Sequence, residues 1–412
     1  MTPRSSPRPP RILLADCDHM FVSVARLVDP EGAGRARLLV VGGTAESRGV
    51  VCSASYEARA FGLRAGMPIA QAVRLCPDAM YVPVPGRACG VKHREIRAVL
   101  DEWAPVVEAA SIDEFYLDLT GTEAVYAGEP LSDTARRLRD AVRDRTGMQL
   151  SIGGGTNRLV AKLAAERAKP KPGSGSSGVL IVPPGEEASF LAEHALADIP
   201  GVGPRLQESL RQYGLVQVRD ALRVEKHHFQ DWLGPRTGAW LFERIRGKAS
   251  GGVEPSEASK SMSHEETFSR DISSDDALET RLLELVVRLC AGLRSDGLAA
   301  RTVTVRIRDH DFRTRQASRT VPEPISTDRA VYLVARDRLR GLRSKRRVAA
   351  RLLGVALSGL VPVARATQLA LLESDPESGE SARDRALARA IDRINRKLGT
   401  EAIRPARLVE EA

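Results

Sequence analysis

Aromatic residues make up only 4% of this 412-residue chain, so recognition of a partner by stacking on many exposed rings is not the expected mode. The five cysteines, Cys17, Cys52, Cys76, Cys89 and Cys290, form no Cys-x-x-Cys pair. That argues against a zinc ribbon and a disulfide framework, and it fits a reducing cytoplasm. No apolar run approaches the roughly eighteen residues that would cross a bilayer. The short run Ile12-Leu13-Leu14-Ala15 behind the basic opening MTPRSSPRPP stops at Asp16, too soon for a signal peptide. A soluble, intracellular protein without a membrane partner is expected.

What the chain does have is length and an uneven positive charge. Its size allows about two to four domains, each with its own core. The 62 Lys and Arg outweigh the 53 Asp and Glu to give +9. From Arg301 to Arg351 there are fifteen basic residues against five acidic ones. An arginine-rich stretch of this density suits a polyanion such as nucleic acid, held through its phosphates.

Along the chain, residues 1–10 read as a disordered tail. RILLA, residues 37–43 and residues 49–56 read as strands, and helical spacing follows from Pro68 and over 93–104. Strand and helix then alternate to residue 170, an α/β arrangement. KPKPGSGSSG at 169–178 reads as a first linker, and GKASGGVEPSEASK at 247–260 as a flexible tether. Between them, Ile199-Pro200-Gly201-Val202-Gly203 resembles a helix-hairpin-helix, in which Gly201 and Gly203 turn the chain between two short helices and free backbone N–H groups for a phosphate. The plainer reading is a packing corner. Past the tether, strand 261–268, helix 276–295, strands 302–309 and 315–321, helix 328–342 and strand 351–358 give βαββαβ. One face of that sheet is expected to be open and lined by the arginines of the two central segments, Arg306 and Arg308 among them, opposite Val303, Val305 and Ile307. The segment 373–384 reads as a mobile tail before a final amphipathic stretch.

Two places carry the chemistry. Asp16 ends one strand, and Asp113 and Glu114 sit in SIDEFYLDLT at 111–120. Carboxylates gathered at strand ends repel one another unless a hard divalent cation such as Mg²⁺ neutralises them. Two such ions can activate an attacking oxygen and stabilise a leaving phosphate oxygen. Either motif alone is equally well a polar strand end.

ADCDHMF at 15–21, SASYEARAFGLRAGMP at 53–68, SIDEFYLDLT and GGGTNRLVAKLAAERAKP at 153–170 occur in the order found in Y-family DNA polymerases. From Arg11 to Arg407 the chain resembles that family, most closely its DNA polymerase IV or DinB-type branch. The resemblance implies an α+β multidomain right hand. Its parts are a ferredoxin-like palm (11–24 and 86–175), small fingers (25–85), a helical thumb with the helix-hairpin-helix (176–246), the tether, a βαββαβ little finger (261–362) and a C-terminal tail (363–412). It implies an error-prone polymerase of translesion synthesis, acting as a monomer on primer–template DNA and deoxynucleoside triphosphates with two Mg²⁺ ions, or Mn²⁺ on the same oxygen ligands.

Residue by residue, Asp16, Asp113 and Glu114 match the family's metal carboxylates, and the Cys17 backbone carbonyl a further ligand. Asp18 falls behind them. Phe21 matches the steric gate that excludes a ribose 2′-hydroxyl; Met20 departs from the usual neighbour and a core role for Phe21 is the alternative, with the gate the preferred reading. Ser53, Tyr56, Arg59 and Lys162 match contacts to the incoming triphosphate. Val50, Cys52 and Gly66 fall over the nascent base pair, where small side chains leave room. QLALL at 368–372 resembles the sliding-clamp peptide, with Gln368, Leu369, Leu371 and Leu372 as anchors and leucine where an aromatic residue is usual. A catalytically weak or inactive scaffold for DNA and clamp would have lost carboxylates that this chain keeps. A palm-fold nucleotide cyclase would need neither a helix-hairpin-helix nor a basic final domain.

Overall fold

The computed structural model describes residues 9–170, 177–249, 251–255, 259–363, 380–399 and 402–409. The chain divides into two compact units, Met1–Glu257 and Ala258–Ala412.

The first unit is built on β1 (Ile12–Cys17), an apolar run buried along its whole length, as a central strand covered on both faces must be. It lies antiparallel between β6 (Glu114–Asp118) and β7 (Leu150–Gly155), within a sheet of order β5-β6-β1-β7-β8 whose edges are β5 (Val106–Ala109) and β8 (Val179–Ile181). Strand alternation sends Leu13, Ala15 and Cys17 into a core with helices α4 (Gly86–Asp101) and α5 (Leu131–Thr146). Ile12 and Leu14 face α6 (Arg158–Ala168) on the other side, with Tyr116. Helix α4 begins earlier than the sequence reading placed it, because its first turns, GRACG, have loop-like composition.

α1 (Met20–Val28) leads from the palm to a small three-stranded sheet of order β3-β2-β4, made of β2 (Leu39–Val41), β3 (Ser53–Ala54) and β4 (Met80–Val82). With α2 (Tyr56–Arg59) and α3 (Ile69–Leu75) it encloses its own core around Val40, Leu63 and Ile69. Only two residues of the expected 49–56 strand form β3. Val50 instead bridges Pro68, and Val51 exchanges backbone hydrogen bonds with Gly66 and Met67.

Short helices from α7 (Glu187–Ala192) to α11 (Pro235–Arg244) pack around Leu210, Phe229 and Leu241 and share that core with Leu159, Leu163 and Ala164 of α6. The expected tether is shorter than its composition implied. Val253 is buried in the cluster of Ile12 and Tyr116, Glu254 N donates to Glu108 Oε2 at 3.1 Å, and Arg158 donates to Gly252 O at 3.3 Å. One apolar side chain and two hydrogen bonds thus hold this Gly/Ser-rich segment against the five-stranded sheet and α6.

The second unit has the expected βαββαβ order: β9 (Ser261–Ile272), α12 (Asp275–Ser295), β10 (Leu298–Asp309), β11 (Thr314–Ile325), α13 (Asp328–Lys345) and β12 (Ala350–Pro362). The sheet is antiparallel throughout, ordered β11-β10-β12-β9, and both helices pack on one face over Val303, Val305 and Ile307. The end of the chain is not wholly a free tail. A C-terminal helix, Ala382–Leu398, is held on this unit, where Asp392 pairs with Arg294 of α12 at 2.7 Å. Among the described residues no helix is long and apolar enough to cross a membrane.

Candidate active site

Ladder register decides which carboxylates meet. Asp16 stands opposite Glu114 across β1 and β6, and both lie on the face covered by α6. Asp113 is held at the same end, because its carbonyl accepts from Cys17 N at 2.9 Å. Its carboxylate accepts from Ser111 Oγ, and Ser111 Oγ in turn accepts from Glu114 N at 3.0 Å. Asp18 lies behind the group, accepting from Ser151 Oγ at 2.8 Å.

Helix α6 supplies the countercharge. It starts where the Asn157 side chain accepts from Leu159 N and Val160 N, and it lies directly on β7. A Cβ at Gly153 would stand 1.9 Å from Ala165 N, so glycine is required there for this close approach. Lys162 reaches both Glu114 oxygens, at 2.6 and 2.7 Å. At the C-cap, one residue past the helix body, Lys169 contacts Asp16 at 2.9 Å and Glu166 at 2.7 Å. Pro170 turns Lys169 out of helical geometry, to φ −57° and ψ 134°. Sequence reasoning had placed Lys169 in a linker.

The three carboxylates share one end of the sheet without being drawn tightly together. Each oxygen pair has its own partner: Lys169, Ser111 or Lys162. Among the described residues no three His, Cys, Asp or Glu side chains form a ready-made metal cluster. Burial, opposed by Lys169 and reinforced by Glu114 and Asp113, pushes the Asp16 carboxyl up to about 6. An all-oxygen set with Asp16 buried and Asp113 and Glu114 half-buried fits a hard divalent cation. Asp16, Glu114, Lys162, Glu166 and Asp198 line a cleft of about 450 Å³. A larger hollow of about 880 Å³, beside Trp240 and Arg244, has none of the carboxylates in its lining.

A second group adjoins these residues. His19, in left-handed conformation at φ 48°, begins α1 and packs edge-on against Tyr56 with ring centroids 3.6 Å apart. Burial and the nearby Arg59 guanidinium lower its imidazole to about 4, which leaves the ring neutral at physiological pH. Arg59 donates to Ala54 O at 3.0 Å and lies 5.7 Å from the Tyr56 ring centre. Ser53 is buried in β3. Phe21 is half-buried between the palm core and that of the small sheet, whereas Met20 is buried. Val50, Cys52 and Gly66 meet along the strand bridge at the lip of the small sheet. His19 and Lys169 are among the neighbours of this site that sequence reasoning missed, with Ser111, Glu166 and Asp198. The sequence signals for Lys169 were its place at the end of the 153–170 motif and before a proline.

Residues 15–166 match the impB/mucB/samB family, residues 259–371 that family's C-terminal domain, and residues 197–248 the thumb domain of DNA polymerase-iota. A DNA polymerase IV of Dehalococcoides mccartyi strain CBDB1 is 33% identical over 398 residues, 96% of this chain and 97% of that protein. One from Methanoculleus marisnigri is 37% identical, over 85% of this chain and 94% of its own. The structure of a Y-family DNA polymerase chimera, Dbh-Dpo4(243-245)-Dbh, superposes with a TM-score of 0.73 at 25% identity, covering 85% of this chain and 99% of the chimera. The chain belongs to the Y family of DNA polymerases.

In this polymerase the thumb turn differs from the expected pair of helices. Before Gly201 there is only a single 3₁₀ turn, Leu196–Asp198, and α8 (Pro204–Arg211) follows Gly203. Gly201 has φ +99°, and a Cβ there would strike the Trp240 ring at 2.8 Å, so the turn is also a packing corner.

On the open sheet face, Arg306 and Arg308 do point away from the helices, but the arginines of β11 do not join them. Arg306 stands opposite Gln316, Arg308 opposite Thr314 and Thr304 opposite Ser318. Arg315 falls on the helix side, where it binds Asp309 and the Leu342 carbonyl. The face is therefore largely hydroxyl-lined, and Arg306 is partly neutralised by Glu265 at 2.6 Å. Gln368, Leu369, Leu371 and Leu372 lie outside the described residues.

Proposed function

We propose that this protein is a template-directed DNA polymerase of translesion synthesis that extends a primer 3′ hydroxyl under two divalent ions, most simply Mg²⁺, with Mn²⁺ on the same ligands. The supporting observation is the placement of Asp16 opposite Glu114, beside Asp113, beneath α6, with Lys162 on the helix facing Glu114 and Lys169 at its C-cap facing Asp16. Asp16, Asp113, Glu114 and the Cys17 carbonyl would hold the ions. When bound, these would acidify the primer hydroxyl and stabilise the leaving pyrophosphate. Lys162, Arg59, Tyr56 and Ser53 would orient the triphosphate, two permanent cations facing anionic oxygens. Phe21 would close the space beneath the sugar. Small residues at Val50, Cys52 and Gly66 leave room above the nascent pair, which suits a damaged template base. The clamp remains a proposed partner through residues 368–372, and the working form a monomer in the cytoplasm.

Primer extension with Mg²⁺ and four deoxynucleotides, on intact and abasic templates, tests the reading. Glu114→Ala should lose about a thousandfold in rate, the scale on which one preorganised charge contact acts in a transition state, while retaining DNA binding. Extension that persists in the variant would overturn the metal site. DNA binding without extension in the unaltered protein would favour a scaffold.

A further inference from the structure

The C-terminal helix carries six cations against two carboxylates, Asp384 and Asp392, and the two signs are separated. Asp392 faces inward onto Arg294, which also binds Asp328 at 2.6 Å and is itself almost buried. Asp384 closes a capping box with Ser381 and contacts Arg329 of α13 at 3.3 Å. Just before the helix, Glu380 accepts from Ser326 N and Thr327 N at the start of α13. After the helix, Asn395 exchanges two hydrogen bonds with Ile403, and Arg407 donates to Thr280 of α12 at 3.0 Å. Among the described residues Glu380, Asp384 and Asp392 are thus engaged in capping or holding the helix, and the segment is pinned before, within and after it.

The cations are left outside. Arg389, Arg393, Arg396 and Lys397, spaced i, i+4, i+7 and i+8, share one face. All four are exposed and make no hydrogen bond or ion pair among the described residues. They span about 12 Å of helix axis, a length along which a DNA duplex presents about seven phosphate charges. Leu387, Ile394 and Leu398 are exposed too, but by helical spacing they fall on the flank between this face and the docked one. A helix lying in a membrane would centre its apolar residues and flank them with cations.

We propose that this basic face binds the phosphate backbone of duplex DNA, as a nucleic-acid contact separate from the thumb and from the open sheet face. The proposal rests on the polymerase reading above. Its test is duplex binding by the full chain across a salt series, comparing the unaltered protein with an Arg389→Gln/Arg393→Gln/Arg396→Gln variant and an all-lysine counterpart. The glutamine variant should flatten the slope of log affinity against log salt by about two to three units, since each lost phosphate contact removes about 0.9. The lysine variant should keep the slope, and an unchanged circular dichroism melt would show that the helix is intact. An unchanged slope in a glutamine variant that still extends primers would overturn this inference and leave the polymerase reading standing. Unchanged duplex binding with weakened binding to phosphatidylglycerol vesicles would overturn it in favour of a lipid surface. An unaltered protein that neither binds duplex nor extends primers would overturn both.

Discussion

At the scale of single residues, the site rests on which charges neighbour one another. Lys169 compensates Asp16 where a cation is wanted, so Lys169→Met should lower the stability of the metal-free protein by about 1 to 3 kcal/mol, the cost of leaving a buried polar group without its partner. Mg²⁺ should then raise the melting temperature of the variant more than that of the parent; equal shifts would show that the lysine does not stand in for the ion. Phe21→Val should raise ribonucleotide incorporation more than about tenfold, equivalent to about 1.4 kcal/mol of lost exclusion. Unchanged sugar discrimination would return Phe21, half-buried between two cores, to a packing role. The carboxylates were legible because strand ends and acidic pairs are local patterns. The partners of Asp16 and Glu114 were less so: Lys169 sits in a KPKP run of loop composition, and only the fold of α6 onto β7 carries it back to β1.

At the scale of elements, the glycine run of β7 sets how near α6 comes. Gly153→Ala would drive a methyl group into the α6 backbone and should cost about 3 kcal/mol or more, the upper range for overpacking. Chemical denaturation measures this directly, and a cost under about 1 kcal/mol would mean that the helix can shift without penalty. Periodic elements with long apolar patterns, such as β1, α12 and β10, were readable from sequence. α4 was misjudged at its start because glycine and cysteine in GRACG hide a helical turn. The arginines of β11 were misassigned because strand alternation tells which residues share a face, whereas cross-strand register tells which face it is, and register is not written in one strand alone.

At the scale of the whole molecule, the four family motifs in order carried the architecture, whereas composition alone misread part of the 247–260 tether as free. Val253 in the tether and Asp392 in the amphipathic C-terminal helix are long-range anchors. Arg294→Ala would leave Asp328 and Asp392 without their shared guanidinium and should destabilise the second unit by about 3 to 5 kcal/mol, as expected when a buried ion pair loses one member. Limited proteolysis should then cut within residues 380–409 ahead of the rest of that unit. Uniform cleavage would show that the pair does not anchor the segment. The thiols, finally, are distributed so that Cys17, Cys76, Cys89 and Cys290 are buried and only Cys52 is partly open, at the lip beside Val50 and Gly66. The chain therefore carries its own preferred attachment point for a fluorophore, next to the pocket proposed for the nascent base pair, so the proposed arrival of a nucleotide could be followed optically without engineering a single residue.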